Sequence, residues 1–229
     1  MIIVIDYGMG NLHSVRKALE VVGARARVSS CPEEILKADK IVFPGVGSFG
    51  EAMKELSRRK LVEPIKSAIA IGKPFLGLCL GLQLLFEKSE EAPGVKGLGV
   101  LKGEVKRFEF KIRKDPSIPP VRRNLRMKFS FENFKVPHMG WNSIVQRTAA
   151  YSAQRSKILR GVADGSYMYF VHSYYVAPEN KKEILTTTDY WIKFASGVCK
   201  DNIYGLQFHP EKSQDIGLRI LKNFVRLCE

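Results

Sequence analysis

The chain has 229 residues, of which 45% are hydrophobic and 26% charged, and its formal net charge at pH 7 is +14. This length accommodates one sizeable domain or two small ones, and the composition is that of a soluble globular protein. No apolar run approaches the roughly 20 residues of a membrane-spanning helix, and the start MIIVIDYG lacks the basic leader and cleavage site of a signal peptide, so we expect neither.

The first ninety residues alternate between short apolar strands and amphipathic helices. Strands are predicted at MIIVID, at residues 26–28, at KIVFPG and at KPFLGL. Helices are predicted after the first turn, with an apolar face at Leu12, Val15, Leu19 and Val22, over residues 51–70 and at GLQLLFEKS. Continuous apolar strands that alternate with helices predict a parallel sheet covered on both faces.

The second half is richer in strands. They are predicted at residues 103–112, 143–145, 167–174, 184–188, 195–200 and 203–208, before a helix at 215–227. Neither an internal repeat nor a Gly/Ser linker interrupts the chain, which predicts a single domain over residues 1–229. The predicted fold class is α/β, with a doubly wound, mostly parallel sheet flanked by helices and an additional strand-rich region.

Half of the net charge lies in a basic segment, residues 106–135, with ten Lys/Arg and three Asp/Glu. Phe108, Phe110 and Ile112 alternate there with charged residues, as do Phe129 and Phe131 with polar ones, which is typical of half-buried strands. The stretch DPSIPP between them predicts a turn. We therefore interpret the segment as two strands joined by a long, solvated loop.

The stretch GLCLGLQLLF places Cys79 between Gly77 and Gly81, after a predicted strand and before a predicted helix. A nucleophile elbow has this order, with the nucleophile on the tight turn. Glycines on either side relieve the crowding of such a turn, and a helix N-terminus favours thiolate over thiol. The apolar surroundings also fit a cysteine packed in the core, so the choice depends on finding a base.

The stretch LQFHPEKS supplies a base, His209, and a carboxylate, Glu211, on either side of Pro210. Residues i and i+2 of an extended segment face the same way, so Glu211 can accept a hydrogen bond from one ring nitrogen of His209. The other ring nitrogen can then face a thiol. Taken alone, a histidine beside a glutamate is common in surface loops. Together with a cysteine on an elbow, the pair predicts a Cys-His-Glu triad.

The pattern Gly-x-Cys-x-Gly-x-Gln followed by a late His-Pro-Glu resembles the class I glutamine amidotransferases. The resemblance implies that Cys79 attacks the side-chain amide carbon of glutamine, that His209 passes the proton to the departing ammonia, and that Glu211 orients His209. It also implies oxyanion N–H groups at Leu80 and Val46. The substrate-binding residues that it implies are Gly47, Gln83, Ser173 and Tyr174.

The motifs PGVGSFGEAM, PHMGWN, YFVHSYY and FHPEKS narrow the similarity to the glutaminase subunits of imidazole glycerol phosphate synthases. In that family the partner is a (β/α)8-barrel cyclase, held as a heterodimer, which uses the ammonia to make imidazole glycerol phosphate and aminoimidazole carboxamide ribonucleotide in histidine biosynthesis. The resemblance implies that His172 lines the site. It also implies that five residues lie at the docking face: Asn11, Trp141, Asn142, Tyr169 and Lys212. Trp141 fits a core position equally well.

The PGVG segment offers a switch under the same resemblance. If the Val46 N–H points away from the site at rest, one of two oxyanion donors is missing, which costs roughly 10²–10³ in rate. We therefore expect low glutaminase activity from the free chain and strong activation by the cyclase with its nucleotide.

Other interpretations of the sequence stay open. The chain also fits a glutaminase subunit of another ammonia-channelling synthase, or a free-standing cysteine hydrolase on the same elbow. The basic segment would suit nucleic acid, but no RNA-recognition signature accompanies it, so we expect no nucleic-acid partner. The four cysteines and four histidines are scattered, which predicts a reducing cytoplasm, no metal site and no cofactor.

Overall fold

The computed structural model of the chain describes residues 1–109, 135–147 and 157–227. The first elements are β1 (Ile2–Ile5), α1 (Leu12–Val21), β2 (Ala26–Ser29), α2 (Pro32–Lys37), β3 (Lys40–Gly45), α3 (Phe49–Arg58), α4 (Val62–Ala70), β4 (Phe75–Cys79) and α5 (Leu80–Gln83). The later strands are β5 (Lys88–Ser89), β6 (Gly103–Arg107), β7 (His138–Ser143), β8 (Val145–Gln146), β9 (Tyr167–His172), β10 (Tyr174–Pro178), β11 (Ile184–Tyr190), β12 (Ile192–Lys200) and β13 (Ile203–Leu206). A 3-10 turn at Pro210–Lys212 precedes the last described helix, α6 (Gln214–Val225).

Five parallel strands form the centre of the main sheet in the order β2-β1-β3-β4-β13. This is the strand order of the flavodoxin-like doubly wound sheet, in which ligands bind beyond the carboxyl ends of the strands. The sheet continues through β12, β10 and β6 as antiparallel neighbours, while β7 and β9 pair in a separate small antiparallel sheet. The predicted α/β class and strand-rich second half are confirmed.

Both faces of the parallel strands are buried, as their continuous apolar sequences require. One face packs in a cluster that includes Phe43, Phe49 and Phe75, and the other in a cluster that includes Leu76 and Phe224. This packing holds the carboxyl ends of β3, β4 and β13 in fixed register beside one another.

Within the residues that the structure describes, no helix is long and apolar enough to cross a membrane.

Two predicted helices have different bounds in the structure. The segment predicted as one helix over residues 51–70 is two helices, α3 and α4, because the chain turns at Lys60, which has φ 57°. The helix predicted over GLQLLFEKS is wrong beyond Gln83. There the carbonyls of Leu84 and Leu85 accept hydrogen bonds from the backbone N–H groups of Leu98 and Val100, so a long-range loop takes the acceptors that a helix would use.

The strand predicted over residues 103–112 is described as β6, which ends at Arg107. Phe108 follows it and is buried, as the alternation of the sequence indicates. Phe110, Ile112, Phe129 and Phe131 lie outside the described residues, as does most of the basic segment. The motif PHMGWN contributes a strand that we did not predict, β7, and the antiparallel pairing of β7 with β9 runs from His138–His172 to Ser143–Tyr167.

Candidate active site

Cys79 is the last residue of β4 and lies on a sharp turn into α5. Its backbone has φ 52° and ψ −107°, a conformation that a residue with a side chain adopts at a cost. The turn also brings Gly81 against the neighbouring strand, where a Cβ would lie 1.8 Å from the carbonyl oxygen of Phe43. The strand, strained cysteine and close-packed glycine together form the predicted nucleophile elbow.

The thiol of Cys79 is buried between two polar groups. Its Sγ lies 3.8 Å from the carbonyl oxygen of Val171, to which the thiol donates, and 3.7 Å from Nε2 of Gln207. Gln207 is fully buried and was missed in the sequence analysis. The signal was present, because Gln207 precedes His209 by two residues and therefore points to the same side of an extended segment.

His209 and Glu211 form the hydrogen-bonded pair that the spacing predicts. Nδ1 of His209 lies 2.9 Å from Oε1 of Glu211, and both side chains are almost completely buried. Among the described residues, Nε2 of His209 and Oε2 of Glu211 have no hydrogen-bond partner. One ring nitrogen of the base is thus held by the carboxylate, while the other is left for a reacting group.

The charge state of His209 is set by these neighbours. Burial lowers the pKa of His209, but the interactions with Cys79 and Glu211 outweigh it and raise the pKa to about 10. His209 therefore holds a proton at neutral pH, and the geometry suits it to deliver that proton to a leaving group.

A cavity of ≈ 280 Å³ opens directly above the elbow. It is lined by Val46, Gly47, Cys79, Leu80, Gln83, Glu91, Pro137, Val171, His172, Ser173 and Tyr174. All of the residues predicted to bind glutamine or to stabilise an oxyanion thus come together on its walls. Their individual roles stay predictions.

The wall formed by Gln83 and Tyr174 is fixed by hydrogen bonds. Nε2 of Gln83 donates to the carbonyl oxygen of Tyr174 at 2.9 Å and to Oε1 of Gln207 at 3.2 Å. Since the Gln83 nitrogen is used inside the protein, a contact of Gln83 with substrate would come from its other atoms. Gln83 and Gln207 together tie the Tyr174 wall to the strand that leads to the triad.

Glu91 is a second residue that the sequence analysis missed. Its Oε2 accepts a hydrogen bond from the backbone N–H of Phe49 at 2.8 Å, which holds the side chain at the cavity. Glu91 is the one acidic residue among the described lining residues, and it belongs to a run of similar glutamates in EKSEEAPG. Nothing in that run distinguishes Glu91, so only the fold could single it out.

Three of the residues predicted at a docking face form one cluster at the surface. The rings of Trp141 and Tyr169 lie 6.1 Å apart, and Nζ of Lys212 lies 5.8 Å from the centroid of Tyr169. Trp141 is 47% exposed, so a core position for it is wrong. Asn11 caps α1 by accepting a hydrogen bond from Ser14 N–H. We call Trp141, Tyr169 and Lys212 the aromatic surface cluster.

Known proteins resemble this chain over nearly its whole length. The family model described as glutamine amidotransferase class-I matches residues 3–228. The chain is 47% identical over 225 residues to the imidazole glycerol phosphate synthase subunit HisH of Syntrophotalea carbinolica, covering 98% of both chains. It is 46% identical over 228 residues to the subunit of the same name from Aquifex aeolicus, covering 99% of this chain and 97% of that one.

Solved structures agree in fold. A crystal structure of a glutamine amidotransferase aligns with a TM-score of 0.67 at 15% identity, covering 97% of this chain and 98% of the other. The structure of PurLQS from Thermotoga maritima aligns with a TM-score of 0.65 at 16% identity, covering 97% and 96%. Identities this low support the fold alone, whereas the family match and the sequence relatives also identify the family. The chain therefore belongs to the class-I glutamine amidotransferase family.

Proposed function

We propose that this chain is the glutaminase subunit of an imidazole glycerol phosphate synthase and that it supplies ammonia for histidine biosynthesis. The observation that carries the proposal is the meeting of the strained Cys79 with the buried His209–Glu211 pair beneath one cavity. The relatives named as subunits of that synthase support the choice of pathway. A free thiol at Cys79 suits a reducing compartment, so we place the reaction in the cytoplasm.

In the first step, the sulfur of Cys79 attacks the side-chain carbonyl carbon of glutamine. The carbon–nitrogen bond breaks, and the proton that His209 holds goes to the departing nitrogen, which leaves as ammonia. A γ-glutamyl thioester remains on Cys79. The hydrogen bond from Nδ1 of His209 to Glu211 keeps Nε2 directed at the reacting atoms throughout.

In the second step, water replaces ammonia in the site. Its oxygen attacks the thioester carbon, His209 accepts the proton, and the carbon–sulfur bond breaks to release glutamate and restore the thiol. Both steps pass through a tetrahedral oxyanion, for which we assign the N–H groups of Leu80 and Val46 as donors. Two such donors stabilise developing charge strongly, since removing one typically costs about 10²–10³ in rate.

The cavity wall offers partners for the rest of the glutamine molecule. We assign the Glu91 carboxylate to the α-ammonium group, because opposite charges pair and no other acidic side chain lines the described cavity. Gly47, Gln83, Ser173 and Tyr174 would surround the carboxylate and the side chain. An amide with no α-ammonium group should therefore be a poor substrate, which separates this function from that of a general cysteine hydrolase.

The ammonia needs a protected route, because in neutral water it becomes ammonium and loses its nucleophilic lone pair. We propose a (β/α)8-barrel cyclase as the partner and the aromatic surface cluster as part of the docking face. An exposed tryptophan beside a tyrosine and a lysine is the kind of surface that protein interfaces favour. The free chain should hydrolyse glutamine slowly, and the cyclase with its nucleotide should activate it.

The thioester is the direct test of this proposal. The complex is mixed with glutamine, quenched in acid and mapped by peptide mass spectrometry. We expect a glutamyl group on the peptide that contains Cys79 and none on the peptides that contain Cys31, Cys199 or Cys228. Asparagine is the matched control ligand, since its side chain is one methylene shorter. A glutamyl group on another cysteine, or no adduct during turnover, would contradict the proposal.

A further inference from the structure

Two buried histidines outside the triad form a hydrogen-bonded chain that ends at the glutamine cavity. Nδ1 of His172 lies 2.8 Å from the carbonyl oxygen of Tyr174, and Nε2 of His172 lies 2.9 Å from Nδ1 of His138. Nε2 of His138 lies 3.3 Å from Nδ2 of Asn142. We call these four residues the imidazole chain. Its members come from β7, β9 and β10, so it joins the small sheet to the main sheet.

The direction of every hydrogen bond in the imidazole chain follows from the Tyr174 end. A carbonyl oxygen can only accept, so Nδ1 of His172 carries the proton. In a neutral imidazole the other nitrogen is then an acceptor, so Nδ1 of His138 must be the donor to it. Nε2 of His138 is left as an acceptor and needs a donor from Asn142.

The Asn142 end requires the same direction independently. The backbone N–H of Ser143 donates to Oδ1 of Asn142 at 2.8 Å, and Nδ2 donates to the carbonyl oxygen of Asp189 at 3.0 Å. These two backbone groups fix the orientation of the amide, so its N–H group is the one that faces His138. The Asn142 amide is thus held by hydrogen bonds within the protein, and its place at the docking face stays a prediction.

The surroundings keep both histidines neutral. His138 stacks between Tyr190 and Phe170, with ring centroids 3.9 and 4.8 Å away, and Phe108 lies 5.3 Å from His172. Burial lowers the pKa of His138 to about 4 and that of His172 to about 3. Within the part of the chain that the structure describes, the titratable groups that act on the pKa values of this pair are its own two histidines and the triad His209, none of which is a carboxylate that would favour a charged imidazole.

We propose that the imidazole chain holds the wall of the glutamine cavity in place, and that a movement of strand β7 is transmitted through the chain to that wall. The Tyr174 carbonyl receives His172 from one side and Gln83 from the other, and Ser173 and Tyr174 both line the cavity. Trp141 of the aromatic surface cluster directly precedes Asn142, so a partner seated there would act on the start of the chain. This inference rests on the proposed function, because it assigns the wall a role in binding glutamine.

The test is a nearly isosteric change, Asn142→Asp, which removes the donor to Nε2 of His138 and the donor to the carbonyl oxygen of Asp189. A carboxylate cannot donate to Nε2 of His138, so His138 must take a second proton or switch its proton to Nε2. Switching would place two unprotonated nitrogens against each other between His138 and His172. We expect KM for glutamine to rise by about fivefold or more, the effect of one lost or strained hydrogen bond, while kcat of the complex is unchanged.

NMR of the imidazole nitrogens supplies a second readout, because a purely structural role of Asn142 would leave the protonation of the histidine rings unchanged. The chain has four histidines, so the ¹⁵N signals can be assigned with few variants. In the parent protein we expect both His138 and His172 to carry their proton on Nδ1. In Asn142→Asp we expect the His138 signal to move to the charged or Nε2-protonated form. A parent His172 with its proton on Nε2 would overturn the assignment without any variant.

A matched control is Asn180→Asp, at a side chain that accepts a hydrogen bond from Lys182 N–H and donates one to Oε1 of Glu183 at 3.4 Å. The substitution loses a donor there too, but at a residue outside the imidazole chain and the cavity lining, so KM and the histidine signals should match the parent. An unchanged KM in Asn142→Asp together with a changed His138 signal would refute the positioning role. Failure of the proposed function is distinguishable, because the parent complex would then release no ammonia from glutamine while the NMR results would still stand.

Discussion

Glu211→Gln is the most sensitive test of the triad, because it removes the charge of the carboxylate while keeping an oxygen that can accept a hydrogen bond from Nδ1 of His209. A hydrogen bond to a charged group contributes about 1.5–3 kcal/mol and a neutral one about 0.5–1.5 kcal/mol. The substitution therefore loses about 1–2 kcal/mol of stabilisation of the imidazolium. Since one pKa unit corresponds to about 1.4 kcal/mol, the pKa of His209 should fall by roughly one unit from its value of about 10.

The same loss should appear in the second step of the reaction, because there His209 accepts a proton from water and becomes an imidazolium. A change of 1–2 kcal/mol corresponds to a factor of about 5–30, so we expect kcat of the complex to fall by that amount. The His209 titration is followed by imidazole NMR, and kcat by ammonia release with cyclase and nucleotide present.

The control for this substitution is Glu20→Gln, at an ion pair of Glu20 with Arg16 on the surface of α1. It makes the same chemical change far from the thiol and should leave both quantities as they are. If Glu211→Gln left the pKa of His209 and kcat unchanged, the pair would not orient or charge the base, and the account of the triad would be wrong.

Two further predictions concern stability. The hydroxyl of Tyr7 is buried, and among the described residues it has no hydrogen-bond partner. Tyr7→Phe should therefore raise the free energy of unfolding by about 1–3 kcal/mol, as measured by urea titration. A free energy of unfolding below that of the parent would show that the hydroxyl is hydrogen-bonded. Burial keeps the folded-state pKa of His138 at about 4 and that of His172 at about 3, below the usual 6.5. Below pH 6.5 the unfolded chain therefore binds more protons than the folded chain, and the free energy of unfolding should fall as the pH drops towards 4. Each histidine contributes about 1.4 kcal/mol per pH unit, and a His138→Gln variant that lost stability as steeply would contradict this assignment.

The parallel half of the fold could be predicted because its signals are local. Continuous apolar runs mark β1, β3 and β4, and the glycines around Cys79 mark the elbow. The helix after the elbow could not be bounded in this way. Its end depends on Leu98 and Val100, whose N–H groups take the carbonyls of Leu84 and Leu85 from residues far along the chain.

The site divides in a similar way. His209 and Glu211 were predictable because a spacing of two residues determines which side they face. Glu91 and the imidazole chain were not, because they depend on strand pairing across the sheet and on which of several similar polar residues the fold turns inward. The pairing of His138 with His172 in β7 and β9 is the clearest case, since 33 residues lie between them in the sequence.

We propose above all that Cys79 generates the ammonia that the partner consumes. The most direct measurement compares Cys79→Ala with the parent chain, each bound to the cyclase and its nucleotide, with either glutamine or an ammonium salt as the nitrogen source. We expect the variant to make no imidazole glycerol phosphate from glutamine and to make it from ammonium as the parent does. Product formation from glutamine at the parent rate would contradict the account.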